Sequence, residues 1–184
     1  MKRLILFTFI LLAIGCVGGR QVYLTTEHKD KNYIFEFLSP AIGSITLPGD
    51  PDAWVKMGME SGWFTFYNEK SNDTVQYINT KKESLEFYTK ELSTNENLIN
   101  GYYEWEKEYL AKSPVVESAI IIEKEINEDS EDYILFEVVR NDGRNHFIYS
   151  SIRDKRVTII SLQTNDPEDI ALKNIIQMYN STKQ

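Results

Sequence analysis

The sequence predicts an α+β domain in which a central antiparallel sheet carries helices on both faces, an α/β/α sandwich. Three observations lead there. Residues 117–163 contain four strand-like runs in succession, ESAIIIEKE, DYILFEVVR, NHFIYSSI and VTIISLQ, separated by short polar segments. In Ile134–Val139 and again in Val157–Leu162 both alternating residue sets are mostly apolar, so these strands need cover on two faces. Two stretches, about 81–112 and 166–180, carry the apolar period of helices that can supply it.

The chain opens on a different kind of segment. Lys2 and Arg3 precede the apolar run Leu4–Ile14, which only Thr8 interrupts. Eleven residues of helix rise about 16 Å, half of what a bilayer core requires, so the run reads as a secretory signal rather than a membrane span. It ends Ala13-Ile14-Gly15-Cys16, which resembles the lipobox of bacterial lipoproteins, with Ala13 in place of the usual leucine. Cys16 is the only cysteine, so no disulfide is open to it, and the end of a signal sequence lacks the positive pocket that activates a catalytic thiolate. Lipidation of Cys16 is the expectation, and two or three acyl chains there make a lasting anchor. The implied address is the envelope, on the periplasmic side of a Gram-negative membrane.

Cleavage before Cys16 removes Lys2 and Arg3 and leaves 18 basic residues against 28 acidic ones, a net charge of −10. Such a chain has no electrostatic footprint for nucleic acid and is repelled by anionic lipid surfaces. Residues 1–15 are therefore the signal. Residues 16–32 are read as the lipidated cysteine and a flexible polar tether that includes His28, with a reach of about 20–24 Å. Residues 33–184 form one globular domain, expected to be a monomer.

Within that domain the early strands are Tyr33–Phe37, Ser44–Leu47, Ala53–Met57, Trp63–Tyr67 and Thr74–Ile78. A helical stretch follows over about Lys81–Lys112. Its second part opens on the capping-box spacing Ser93-x-x-Glu96 and carries Leu98, Tyr102, Trp105 and Tyr109 as one stripe, with Gly101 a possible kink. The late strands are Glu117–Glu125, Asp132–Arg140, Asn145–Ile152 and Val157–Gln163. Asp142-Gly143 signals a type I′ hairpin and residues 153–156 (RDKR) a second turn. Asp166 as N-cap and Pro167 at the first helical position start a closing helix that buries Ile170, Ile175, Met178 and Tyr179.

The stretch ITLPGDPDAWVKMGMESGWFTFYN, with Trp54 after a proline turn, then a long middle helix, a four-strand meander and a closing helix, resembles the PsbP/Mog superfamily over about residues 33–182. A lipocalin-like β-rich envelope fold is the alternative. Members of the superfamily mostly act as binding or assembly factors, which is what the resemblance implies here; it transfers no site residues.

Chemistry is sparse. His146 and Ser150 suggest a nucleophile–base pair with Asp142 or Asp154 nearby, but four residues of strand span about 13 Å, far beyond hydrogen-bonding reach. Asn127–Asp132 alternates oxygen ligands, yet as a calcium loop it would need glycine where Asp132 stands and glutamate where Val138 stands, so it reads as a solvated hairpin tip. Glu104, Glu106 and Glu108 read as a solvated helix face, with Glu108–Lys112 a favourable pair, and Tyr102, Tyr103, Trp105 and Tyr109 as core. No glycine-rich phosphate loop and no cysteine–histidine metal spacing occur, so no cofactor and no metal are expected. Asp73-Thr74-Val75 matches a three-residue O-glycosylation pattern.

Two functional classes follow, beside a third reading as a structural spacer with no specific ligand. The first is a lipid-anchored binding or assembly-accessory module, not an enzyme, whose partner is another envelope protein or a small ligand. The second is a periplasmic hydrolase or transferase using carboxylates and His146. Intact-mass analysis of membrane-extracted protein tests the address common to both: the mature chain should begin at Cys16 and carry acyl mass, and Cys16→Ser should lose both.

Overall fold

Alternation of apolar side chains builds the sheet in the computed structural model, which describes residues 24–29, 32–37, 44–60, 63–89, 92, 94–126, 131–153 and 155–182 (for 24–29, 32–37, 51 and 58–60 the backbone alone). β1 (Leu24–Lys29), β2 (Asn32–Phe37) and β3 (Ser44–Leu47) form a small antiparallel sheet. β4 (Trp54–Glu60), β5 (Trp63–Asn68) and β6 (Thr74–Lys81) precede helix α1 (Asn95–Leu110). Then come β7 (Val116–Glu125), β8 (Asp132–Arg140), β9 (Asn145–Arg153), β10 (Arg156–Thr164) and helix α2 (Glu168–Ser181). The last seven strands make one antiparallel sheet in the order β4-β5-β6-β10-β9-β8-β7, an α+β architecture.

β5 shows the period of two of a strand packed on one face: Phe64 and Phe66 are buried, Trp63, Thr65 and Tyr67 only half-buried. β8, β9 and β10 bury residues of both parities, as their sequences require. Successive residues of β8 divide between two apolar clusters. Leu135 joins Phe147, Tyr149, Ile160 and Leu162 against Ala171, Ile175, Met178 and Tyr179 of α2 and Ile45 and Leu47 of β3. Ile134, Phe136 and Val138 join Ile148, Ile152 and Ile159 against Leu98, Ile99, Tyr102 and Tyr103 of α1. Hydrogen bonds fix β3 and the residue after it: Thr46 N–H donates to Ser181 Oγ of α2 at 2.8 Å, and Trp54 Nε1 of β4 donates to the Pro48 carbonyl at 2.8 Å.

Several expectations need correction. Leu24–Lys29 is a strand, hydrogen-bonded to β2 with Lys29 opposite Asn32, so the chain from 24 to 29, His28 included, is not a free tether. Its Leu-Thr-Thr start has strand propensity, and a polar strand needs no apolar period when backbone pairing holds it. The helix expected over 81–112 is confined to Asn95–Leu110. Before it, Lys82–Ser84 is a 3₁₀ turn, and Tyr88 and Leu92 each close a single turn on the residue three back. Leu85, Phe87, Tyr88 and Leu92 reach the α1 cluster from these turns, so apolar spacing there mimicked a helix face. The cap is Thr94, whose Oγ1 accepts from Asn97 N–H at 3.2 Å, rather than Ser93.

Gly101 does not kink α1. It is where Leu92 packs, for a Cβ there would stand 3.0 Å from Leu92 Cδ1. The stripe on α1 is rotated: Ile99 and Tyr103 are buried with Leu98 and Tyr102, while Tyr109 is 58% exposed. The β8–β9 turn has only Gly143 of its central pair at positive φ (+78°), so it is a longer loop and not type I′, with Asp142 accepting from Arg144 N–H at 3.3 Å. At α2 the N-cap is Pro167 rather than Asp166, and Ile170 is exposed, because the buried side runs through Ala171, Ile175 and Met178.

Phe136 and Tyr109 differ by burial alone in what truncation removes. Phe136→Ala is expected to cost about 3–5 kcal/mol by urea denaturation, and Tyr109→Ala less than about 1 kcal/mol; equal losses would contradict the assignment of the α1 cluster.

Candidate functional site

The hairpin that joins β9 to β10 brings His146 to a hydroxyl. Arg153 pairs with Arg156, and that register carries down the hairpin until His146 faces Gln163 and Ile148 faces Ser161. His146 and Ser161 are thus diagonal neighbours, and His146 Nε2 lies 2.8 Å from Ser161 Oγ. Ser150 is not the partner; its hydroxyl is buried and has no hydrogen bond among the described residues, nor has His146 Nδ1. Asp142 is held by Arg140, which lowers its carboxyl to about 2, and Asp154 lies outside the described residues. The Ser161 contact was legible in principle: a two-residue turn in RDKR fixes the register that produces it.

This pair is poorly suited to acid–base work. His146 is 3% exposed, and burial, with Arg140 and Arg144 nearby, lowers its pKa to about 3. An imidazole so weakly basic takes up no proton near neutral pH, and it has no carboxylate partner on Nδ1 to orient it. Its hydrogen bond with Ser161 satisfies two polar groups that burial in β9 and β10 would otherwise leave unpaired.

The carboxylates are likewise spent or scattered. Asn127–Ser130 lies outside the described residues; the two acids that follow are not a solvated tip. Glu131 pairs with Arg153 at 3.1 Å, and Asp132, 4% exposed, accepts from Asn95 Nδ2 at 2.7 Å, fastening β8 to the start of α1. Among the described residues no three His, Cys, Asp or Glu side chains are placed to hold a metal ion. Glu104 pairs with Lys107 at 3.7 Å instead of the expected Glu108–Lys112. Glu106 is the exception to a solvated face. It turns inward beside the Tyr102 phenol, and burial raises its carboxyl to about 7. Its position between Trp105 and Lys107 in the sequence gave no warning, because helix rotation decides which neighbour points inward.

Apolar side chains stay exposed at both edges of the large sheet: Val55 and Met57 on β4, and Ile120, Ile121 and Ile122 on β7. On α1 the rings of Tyr102, Trp105 and Tyr109 run outward in sequence, Trp105 and Tyr109 stacked at 5.8 Å, with Lys112 Nζ 5.7 Å from the Tyr109 ring. Cys16 lies outside the described residues. Among the described residues no helix is long and apolar enough to cross a membrane.

The paired sheets, the meander closed by β10 and the two helices make a PsbP-like fold. The fold is shared with the cyanobacterial PsbP (CyanoP) of Synechocystis sp. PCC 6803, whose solution structure is similar at a TM-score of 0.52 and 16% identity over 91% of this chain and 95% of that one. No family model matches the chain, and no curated protein matches it by sequence.

His146 and Glu106 bias stability in opposite directions. The folded chain refuses a proton at His146 down to about pH 3, whereas the unfolded imidazole takes one near 6.5. Stability is therefore lost as pH falls from 6.5, by about 1.4 kcal/mol per unit from this group. Glu106 keeps its proton to about 7 when folded and releases it near 4.5 when unfolded, so stability is lost as pH rises through that window; with part of the carboxyl in water the effect is on the order of 1 kcal/mol. Urea midpoints against pH should show that His146→Gln flattens the acid limb relative to the parent chain, and that Glu106→Gln gains stability at pH 8 but not at pH 4.

Proposed function

We propose that the chain is a lipid-anchored envelope protein whose domain works as a binding or assembly-accessory module rather than a catalyst. The observation that carries this reading is that, among the described residues, the pair with enzyme-like geometry, His146 and Ser161, is sealed in the core with its base held neutral, while apolar side chains remain exposed at both edges of the large sheet. Exposed apolar residues grouped on one surface are a usual mark of contact with another macromolecule. The PsbP-like fold supports the reading, since that resemblance implies binding and assembly roles. We read the two apolar clusters as opposite faces, with α1 over one and α2 over the other, because successive residues of a strand point to opposite sides.

Cys16 and the residues up to β1 belong to the mechanism in this reading. Tethering holds the domain near a membrane partner and raises its effective concentration, into the millimolar range for a short flexible linker. A weak contact is then enough. Cys16→Ser, exported through a conventional signal peptide, is expected to complement a deletion strain poorly at native expression and better on overexpression, while His146→Ala with intact folding has little effect. Full complementation by the soluble form, together with failure of His146→Ala or of a carboxylate variant, would establish the hydrolase or transferase reading instead.

A further inference from the structure

The uncovered end of one sheet face, beside α2, has the shape and charge of a docking site. Cross-strand partners point to the same face, and Glu137 pairs with Ile120 of β7 on one side and Phe147 of β9 on the other. Phe147 belongs to the cluster under α2, so Ile120 and Glu137 share the α2 face; Glu123, opposite Leu135 of the same cluster, shares it too. α2 packs on β9, β10 and β3 and leaves this end open, with Ile120 52% exposed. The flank of α2 that borders the opening carries Glu168, Leu172 and Ile176 at a spacing of four, and Ile176 is 40% exposed. The result is a shelf: an apolar floor and wall from Ile120, Leu172 and Ile176, rimmed by Glu123, Glu137 and Glu168.

Two features identify what fits the shelf. Strands lie about 4.8 Å apart and packed helices about 8–10 Å apart. The next helix position beside α2 therefore falls two strands across, over β8 and β7. The second feature is charge. Neither Glu137 nor Glu168 forms an ion pair among the described residues. Burial, then the Glu168 charge, holds the Glu137 carboxyl above its ordinary range, so the two acids are near enough to repel. The edge of β7 is a poor template for a further strand, because register shifts interrupt it between Val116 and Ser118 and between Ile121 and Glu123.

We propose that this shelf docks a basic amphipathic α-helix of a partner protein, its apolar side laid along α2 over β7 and β8 and its Lys or Arg residues reaching Glu123, Glu137 and Glu168. The inference rests on the binding-module reading and gives the partner a chemistry. An anionic membrane surface is excluded by the same acids, which would repel it.

The probe is a labelled leucine–lysine amphipathic peptide of about 18 residues, some 27 Å of helix, titrated into the full chain and followed by fluorescence anisotropy. A version with glutamate in place of lysine is the control. The leucine–lysine peptide should bind and the glutamate version should not. Ile120→Lys with Glu137→Lys should weaken binding at least tenfold, and the milder pair Ile120→Ser with Glu137→Gln severalfold, both with unchanged circular dichroism. Val55→Lys with Met57→Lys, on the other exposed edge, should leave binding as it was. Absence of binding, indifference to the Ile120 and Glu137 variants, or equal weakening by the Val55 and Met57 pair each overturns the shelf. None of these results alters the complementation outcome that decides the accessory reading, so the two fail separately.

Discussion

Burial of both residue parities in β8, β9 and β10 is the constraint from which the rest of the structure follows. Phe136, Ile148 and Ile159 on one parity and Leu135, Phe147 and Ile160 on the other are all 2% exposed or less. Each parity of such strands needs an apolar cluster of its own. α1 brings it with Leu98, Ile99, Tyr102 and Tyr103, and α2 with Ala171, Ile175 and Met178. β3 adds Ile45 and Leu47 to the α2 cluster, which also takes in Phe66 of β5 and Val75 and Tyr77 of β6. Burial is deep in the central strands and fails at the margins, where Val55 and Met57 of β4 and Ile120, Ile121 and Ile122 of β7 stay exposed.

How much of this is legible in the sequence depends on what kind of signal each element leaves. The four late strands are read almost to the residue, because the apolar runs are long and the turns between them polar and short. Asp132–Arg140 has the same bounds in both. The single helix expected over 81–112 dissolves into turns followed by α1, since apolar spacing cannot distinguish Leu85 and Phe87 on successive turns from residues of one helix. β1 escapes notice because its stability comes from backbone pairing with β2, which leaves no period in side-chain character. At the candidate site the reasoning about His146 and Ser150 stands, whereas Ser161 and Glu106 emerge only with tertiary geometry. Pairing register decides the first and the rotation of α1 the second.

Buried polar groups in this domain are used as fasteners. Asp132 ties β8 to the first residue of α1, Ser181 ties the end of α2 to β3, and Tyr103 donates to the Ala119 carbonyl at 2.9 Å, tying α1 to β7. Each contact joins elements distant in sequence and fixes where a helix sits on the sheet. His146 and Ser161 do the same between neighbouring strands. A buried hydrogen bond of this type adds little net stability but is costly to leave unmade, so it selects one packing from several of similar apolar burial.

The pairing of β6 with β10 has a consequence for how the chain comes to be folded. Thr74 pairs with Gln163 and Lys81 with Arg156, contacts that span most of the domain. The strands β7 to β10 follow one another as hairpins and close only short loops, so they can form early and locally. β4, β5 and β6 have no sheet to join until residues 156–164 exist. The amino-terminal half must wait with the edge of β6 unpaired while the ribosome makes nearly everything else, and it is in that interval that the chain is most open to wrong partners. The large sheet is thus completed only through β10, the last of its strands to be made and the one at its centre.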